Sequence, residues 1–133
     1  GILSGLTRDT GPKDIVRATV ESVAYQTHDL FEAMKNDGLK PKLIKVDGGM
    51  VKNNWFSQFL ADVINIKVLR PKVDETTALG AALMAGLQIG VFKSLKDISK
   101  NWKTDKSFNS KMNNHHRKNL INGWKAAINK TLS

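Results

Sequence analysis

Cysteine is absent from this 133-residue chain, so it has no disulfide framework and no thiolate metal site. It also lacks any apolar run of the roughly 18 residues that a membrane-spanning helix needs, so we expect no membrane contact. Its first residues carry neither the basic start nor the long apolar core of a signal peptide, and a cytoplasmic location is expected. There is no initiator methionine, so we expect that the chain was cut from a longer one.

Acidic residues are scarce in only one part of the chain. Residues 1–92 hold 11 Lys and Arg against 10 Asp and Glu, whereas residues 93–133 hold 10 against 2, so this tail carries +8 of the net charge of +9. Its nine lysines are spread out rather than clustered, which is typical of a solvated surface. We therefore expect no nucleic-acid partner, and binding to nucleic acid or to an acidic protein is kept as the alternative.

A long first helix is predicted from about residue 12 to residue 36. Thr10-Gly11-Pro12 is typical of a helix start, because proline at the first position lacks only an N–H that would be unpaired anyway. Asp37-Gly38 ends the pattern, since glycine readily adopts the left-handed conformation that closes many helices. The apolar positions between them recur at about 3.6 residues: Val16, Val20, Val23, Leu30, Phe31 and Met34.

Two short strands and three further helices follow. Residues 43–46 and 66–69 are β-rich runs, the second closed by Pro71. Asn53 is expected to cap a second helix, and a last helix is predicted from about 114 to 131. Residues 93–113 are polar and turn-rich, with one helical turn expected near 95–98. The apolar stripe of the second helix is Trp55, Phe56, Phe59, Leu60, Val63 and Ile64, and that of the last is Leu120, Ile121, Trp124, Ala127 and Ile128.

A third helix, predicted over residues 77–89, is rich in small residues. Glycine inside a helix costs about 1 kcal/mol relative to alanine, so Gly80 and Gly86 need an offsetting gain. Close approach of another backbone or of a ligand would supply it. We therefore expect Gly80 and Ala81 to face a packed surface.

The order of elements favours an α/β fold. Strands that alternate with helices are typical of parallel pairing in a layered domain. Two short strands are too few for a stable open sheet, so the rest of the sheet is expected outside this sequence.

The best candidate for chemistry is the turn Val46-Asp47-Gly48-Gly49-Met50 together with Asn53. A strand ends here, two glycines turn the chain, and a helix begins. The unpaired backbone amides at the start of the helix then lie beside glycine backbone, which carries no side chains. Such a turn can accept a phosphate or let a nucleotide lie against the backbone. The alternative is a plain tight strand–helix turn. The turn is not a P-loop, since no Gly-Lys-Ser/Thr follows, and it lacks the third glycine of the dinucleotide fingerprint.

The stretch VDGGMVKNNWFSQFLADVINIKVLRPKVDETTALGAALMAGL resembles the C-terminal signature of the FGGY carbohydrate kinases. The flanks GLTR at residues 5–8, RATVESVAYQT at 17–27 and GWKAA at 123–127 are similar to the glycerol kinases of that family. The resemblance covers most of the chain and weakens between about 93 and 115. The matching positions of the signature are Gly48-Gly49, Asn53, Gln58, Ala61-Asp62, Pro71, Glu75 and Leu79-Gly80-Ala81-Ala82.

The resemblance implies an actin-like, ribonuclease-H-type ATPase fold, in which residues 1–133 form part of the C-terminal domain. It implies that Gly49 and Asn53 contact ATP and that Gly48 shapes the same turn. It further implies transfer of a phosphoryl group from Mg-ATP to glycerol in a homo-oligomeric enzyme, with xylulokinase or gluconate kinase as the alternative. The family's catalytic Asp, its polyol-binding residues and its phosphate loops match nothing here. We therefore assign no catalytic and no metal-binding residue to this chain and expect it to be inactive alone.

Several other residues have ordinary structural interpretations. We expect Asp62 and Glu75 to cap or pair with backbone groups, and Asp74 or Thr76 to cap the third helix. His28 is interpreted as a surface or packing residue. His115 and His116 are neighbours on a helix and point in different directions, which disfavours a metal site. The three tryptophans are interpreted as core or interface anchors and not as platforms for stacking bases: Trp55, Trp102 and Trp124.

Overall fold

The computed structural model describes residues 1–73 and 76–131, and in that part of the chain helices alternate with short strands. The helices are α1 (Pro12–Asn36), α2 (Asn54–Ile64), α3 (Thr76–Gln88), α4 (Leu95–Lys100) and α5 (Asn114–Asn129). The strands are β1 (Leu43–Lys45), β2 (Lys67–Pro71) and β3 (Thr104–Phe108), and a 3₁₀ turn covers Gly49–Lys52.

Helix α1 begins and ends where the sequence predicts. The amide of Gly11, the N-cap residue, donates to the carboxylate of Asp14 at 2.9 Å, which pairs a group left unsatisfied at every helix start. Gly38 ends the helix region with a φ of 87°, a left-handed conformation that a side chain would disfavour.

The sheet has the order β1-β2-β3. β1 and β2 are parallel, with Ile44 opposite Val68, which confirms the predicted parallel pair. β3 runs antiparallel to β2, with Phe108 opposite Val68. This third strand lies in the segment predicted to be irregular, so the prediction of only two strands is wrong. The reason is its composition, because only Phe108 of the strand is buried and the other residues are exposed and mostly polar.

The core lies around α2, which packs against α1 and against the sheet. Phe56, Phe59, Leu60 and Val63 of α2 are buried. The ring of Tyr25 on α1 meets that of Phe59 edge-on at a centroid distance of 5.7 Å and stacks on Trp124 at 5.5 Å. Aromatic pairs at such distances add stability beyond that of the area they bury.

Polar contacts join helix α5 and the residues just before it to this core. The indole Nε1 of Trp124 donates to Asp29 Oδ2 at 2.6 Å, which confirms the anchoring role predicted for this tryptophan. Asp62 Oδ1 accepts from the backbone amides of Lys111 at 2.5 Å and Met112 at 3.1 Å, just before α5 begins. The prediction that Asp62 pairs with backbone groups is confirmed.

Helix α3 differs from its predicted packing. The expectation that Gly80 and Ala81 face a packed surface is wrong for this chain, because Ala81 is exposed and a Cβ at Gly80 would meet nothing within 4 Å. The close approach occurs instead at Gly86, where a Cβ would lie 2.9 Å from the ring of Phe92. Thr76 is the first helical residue of α3, and Asp74 and Glu75 lie outside the described residues.

Candidate functional site

The glycine turn joins the end of β1 to the start of α2. The amide of Val46 still donates to the carbonyl of Leu69 at 3.0 Å, and the chain then leaves the sheet. Gly48 has a φ of 96°, a left-handed value at which an L side chain is strained, so the turn needs glycine at this position. The sequence prediction of a strand that ends in a tight glycine turn is confirmed.

Gly49 has a different reason to be glycine, because its φ is not in the left-handed region. A Cβ built on Gly49 would meet nothing within 4 Å, and the residue is exposed. Its backbone surface is therefore open to a ligand, which is the property that a nucleotide lying against the chain requires.

Asn53 caps α2, as the sequence predicts. Its Oδ1 accepts from the amides of Trp55 at 2.9 Å and Phe56 at 3.3 Å, which satisfies two of the amides left free at a helix start. The cap therefore uses the acceptor of the side-chain amide and leaves the Nδ2 group as a donor on an exposed residue.

Arg70 on β2 fixes the far end of the same turn, and sequence reasoning did not identify it. Its Nη1 group donates to the carbonyl oxygens of Val51 at 3.0 Å and Lys52 at 3.1 Å. Asp105 of β3 holds the guanidinium from the other side, at 2.6 Å from Nη2. An arginine two positions after a buried strand residue does not by itself indicate a functional role. The partners of Arg70 at the turn are backbone carbonyls, and only the folded chain brings them close to it.

A contact at the start of the turn ties it to α3. The hydroxyl of Thr76 donates to Asp47 Oδ2, so the residue before Gly48 is linked to the first residue of the small-residue helix. Together with Arg70, this contact holds both ends of the turn to neighbouring elements.

An open cleft of about 530 Å³ lies beside Asn53, between the N-terminal ends of α1 and α2. Trp55 and Arg17 line it, and Gly48 and Gly49 do not. Trp55 is 45% exposed, so it lies outside the core, although its spacing places it on the apolar stripe of α2. Its ring stacks on Phe59 at a centroid distance of 5.2 Å, with the guanidinium of Arg17 at 5.8 Å from the Trp55 ring.

The positive charge of Arg17 beside this cleft is paired with a carboxylate on the same helix, α1. Arg17 Nε donates to Glu21 Oε1 at 2.6 Å, and this hydrogen bond raises the pKa of the guanidinium. Burial raises the pKa of the neighbouring Tyr25 hydroxyl, and the negative charge of Glu21 raises it further. The hydroxyl of Tyr25 thus stays a neutral donor, bonded to Glu21 Oε2 at 3.1 Å.

The contacts of the remaining candidate residues, the histidines and Trp102, do not involve Gly48, Gly49 or Asn53. His115 pairs with Asn119 on the next turn of α5, at 3.2 Å. Trp102 is half-buried, with Lys45 Nζ lying 4.0 Å from its ring centroid. Within residues 1–73 and 76–131, no group of three or more His, Cys, Asp and Glu side chains is placed to hold a metal ion. None of the helices in the same ranges combines the length and apolar character that crossing a membrane requires.

Comparison with known proteins identifies relatives over the whole chain. Residues 1–89 match the model of the C-terminal domain of the FGGY family of carbohydrate kinases. A glycerol kinase from Ectopseudomonas mendocina (strain ymp) is 50% identical over 134 residues, and glycerol kinase 1 from Pseudomonas aeruginosa is 50% identical over 133 residues. Both alignments cover 100% of this chain and 27% of the relative, so the chain spans about a quarter of the length of these proteins.

Solved structures agree with these relatives. The crystal structure of Plasmodium falciparum glycerol kinase with ADP superposes with a TM-score of 0.84 at 37% identity, covering 97% of this chain and 26% of that one. A ligand-bound xylulose kinase from Lactobacillus acidophilus gives a TM-score of 0.77 at 22% identity, with the same coverages. At that identity the second likeness shows the fold alone. The α/β fold of this chain is therefore the one found in the C-terminal part of these kinases.

Proposed function

The chain belongs to the FGGY family of carbohydrate kinases, and on that premise we propose that it is part of the C-terminal, nucleotide-binding domain of a glycerol kinase. The observation that carries the proposal is the 50% identity to two glycerol kinases, which extends over the whole chain. In the intact enzyme, the γ-phosphoryl group of ATP moves to a hydroxyl of glycerol and gives glycerol 3-phosphate.

The turn at Gly48 and Gly49 is the part of this chain that we assign to the nucleotide. Gly48 supports the assignment through its left-handed φ, which shapes the turn. Gly49 supports it through the open space at its Cα, and Asn53 through an amide donor that its capping role leaves available. In this assignment Gly49 and Asn53 contact the adenine nucleotide, and Gly48 positions them.

The catalytic and metal-binding groups are assigned to residues outside this chain. The acidic side chain within the turn, that of Asp47, accepts from the Thr76 hydroxyl and links two elements of the fold. In phosphoryl transfer a carboxylate takes the proton of the attacking hydroxyl, and Mg²⁺ neutralises charge on the phosphates. We expect the intact enzyme to be a cytoplasmic homo-oligomer, with no nucleic acid or membrane as a partner.

The experiment measures ADP release by the intact protein that carries this chain, with Mg-ATP and glycerol, xylulose or gluconate in turn. We expect turnover with glycerol far above turnover with the other two. Preference for xylulose or gluconate would replace glycerol kinase by one of the related sugar kinases while keeping the family. The 133-residue chain alone should show no turnover with glycerol above background, and turnover there would contradict the assignment of the catalytic groups to other residues.

A further inference from the structure

A second cleft, of about 470 Å³, lies at the opposite end of α1 from the glycine turn. It is bounded by the C-terminal halves of α1 and α2 and by the first turns of α5. Neither Gly48, Gly49 nor Asn53 lines it. We infer that this cleft binds a small organic phosphate, with its carbon body on the floor and its phosphate group at the rim. This inference does not depend on the function proposed for the turn.

The rim of the cleft is strongly cationic. Lys35, Lys40, Arg117 and Lys118 line it against one carboxylate, that of Glu32, so four positive charges face one negative charge, a balance of +3. Lys35 is 3.4 Å from Glu32 and is partly neutralised by it. In the described part of the chain, Lys40 and Lys118 form no ion pair or side-chain hydrogen bond, so their ammonium groups are available to an anion.

Arg117 adds a buried charge to this rim. It is only 8% exposed, and burying a guanidinium is costly unless its N–H groups are paired. Its partners are neutral groups: the carbonyl of Asp62 at 2.5 Å, the side chains of Asn114 and Ser110 at 2.6 Å, and a backbone carbonyl at 2.8 Å. The Asp62 carboxylate receives backbone amides instead. The positive charge of Arg117 is thus hydrogen-bonded without a direct carboxylate partner.

His28 supplies an unsatisfied polar atom at the same cleft. Its side chain is 12% exposed, and its Nδ1 is buried and lacks a hydrogen-bond partner. The nearest carboxylate oxygen, Asp29 Oδ1, is 3.6 Å away, too far for a good hydrogen bond. A buried polar atom without a partner is uncommon in a folded protein, and a ligand oxygen in the cleft would reach this one if the His28 side chain turned toward it.

The apolar floor of the cleft favours an organic anion over an inorganic one as the ligand. The floor is apolar, since the half-buried side chains of Phe31, Ile66 and Ile121 line it above the buried Val63 and Ile64. Sites for small molecules are typically of a few hundred Å³, mostly apolar, with a few polar groups that fix orientation. A phosphate ester with a carbon body uses both the floor and the rim, whereas inorganic phosphate uses the rim alone.

The test is a calorimetric titration of the intact protein with phenyl phosphate and with inorganic phosphate, in the presence of saturating ADP to occupy a nucleotide site. We expect phenyl phosphate to bind more tightly than inorganic phosphate. The double variant Lys40→Gln/Lys118→Gln should weaken phenyl phosphate binding by about tenfold, because it removes two of the positive charges at the rim. Hydrogen–deuterium exchange should show protection by phenyl phosphate in peptides that cover residues 63–66 and 114–121.

The control is Lys96→Gln/Lys103→Gln, which removes the same charge from exposed lysines outside the cleft and should change binding less than twofold. If both double variants weakened phenyl phosphate binding equally, net charge alone would explain the effect and the proposed site would be overturned. Absence of phenyl phosphate binding, or protection elsewhere in the protein, would also overturn it. Equally tight binding of inorganic phosphate would overturn the role of the apolar floor.

Discussion

The guanidinium of Arg70 and the carboxylate of Asp105 meet at 2.6 Å, across two antiparallel strands. Through this pair, β3 reaches the glycine turn, since Arg70 also donates to the carbonyls of Val51 and Lys52. A strand with a polar sequence thus supports the candidate nucleotide site by holding one arginine in place.

Replacing Arg70 should disturb both stability and the turn. Arg70→Leu removes the pair and leaves two carbonyls of the turn without their donor, and we expect a loss of about 2 kcal/mol in the free energy of unfolding, as for hydrogen bonds to charged groups. Urea denaturation measures this loss. Lys67→Leu, on the same strand at an exposed position, is the matched control and should lie within about 0.5 kcal/mol of the parent. If both variants unfold together, the Arg70 network contributes nothing measurable.

The two glycines of the turn should respond differently to added side chains. Gly48→Ala forces a side chain onto a φ of 96° and should destabilise by about 1–2 kcal/mol. Gly49→Val has space for its side chain and should leave the fold intact. In the intact enzyme it should raise the KM for ATP by about tenfold or more, equivalent to about 1.4 kcal/mol, and change the KM for glycerol much less. Kinetics with both substrates decide this, and an unchanged KM for ATP with an unchanged kcat would remove Gly49 from the site.

A contrast between two glycines of α3 tests where this helix is packed. Gly86→Ala places a methyl group 2.9 Å from the Phe92 ring, so we expect a loss of about 1–3 kcal/mol from overpacking. Gly80→Ala meets no neighbour in this chain and replaces glycine by a better helix former, for a gain of up to about 1 kcal/mol. Thermal or urea unfolding of the 133-residue chain ranks the two. The reverse order would mean that Gly80 is the packed position.

The basic tail should bind DNA only weakly. The helices and strand of residues 93–131 spread their lysines over exposed positions, as a solvated surface would. Fluorescence anisotropy near physiological salt should give a Kd for double-stranded DNA no tighter than the usual non-specific range, about 10⁻⁴–10⁻⁶ M. A sequence-dependent nanomolar Kd would show a nucleic-acid function in this segment.

The sequence predicts the elements whose signals are local. α1 has Pro12 at its first position and a glycine past its end, and its bounds are confirmed. Asn53 caps α2 as expected from its side-chain chemistry, and two β-rich runs pair in parallel as expected from their alternation with helices.

The sequence does not predict features that depend on distant partners. The sequence does not predict β3, because its residues, apart from Phe108, are exposed and mostly polar, so no alternation of burial marks it as a strand. The spacing of Trp55 matches the apolar stripe but does not show whether the ring is buried, and the start of α2 is covered on that side only in part, by Phe59 and Arg17. The sequence does not predict the role of Arg70, because its partners are carbonyls and a carboxylate 35 residues away.

The exposure of α3 bears on how this part of the protein moves. Gly86 is its only buried residue among those described, although its composition is mostly apolar. Within this chain, few contacts oppose opening of α3, and segments with few buried contacts open at a small fraction of the free energy of global unfolding. The hydroxyl of its first residue, Thr76, is bonded to Asp47 beside Gly48. Each local opening of α3 therefore releases one end of the glycine turn. Any surface that packs against α3 and keeps it closed also keeps the glycine turn ordered.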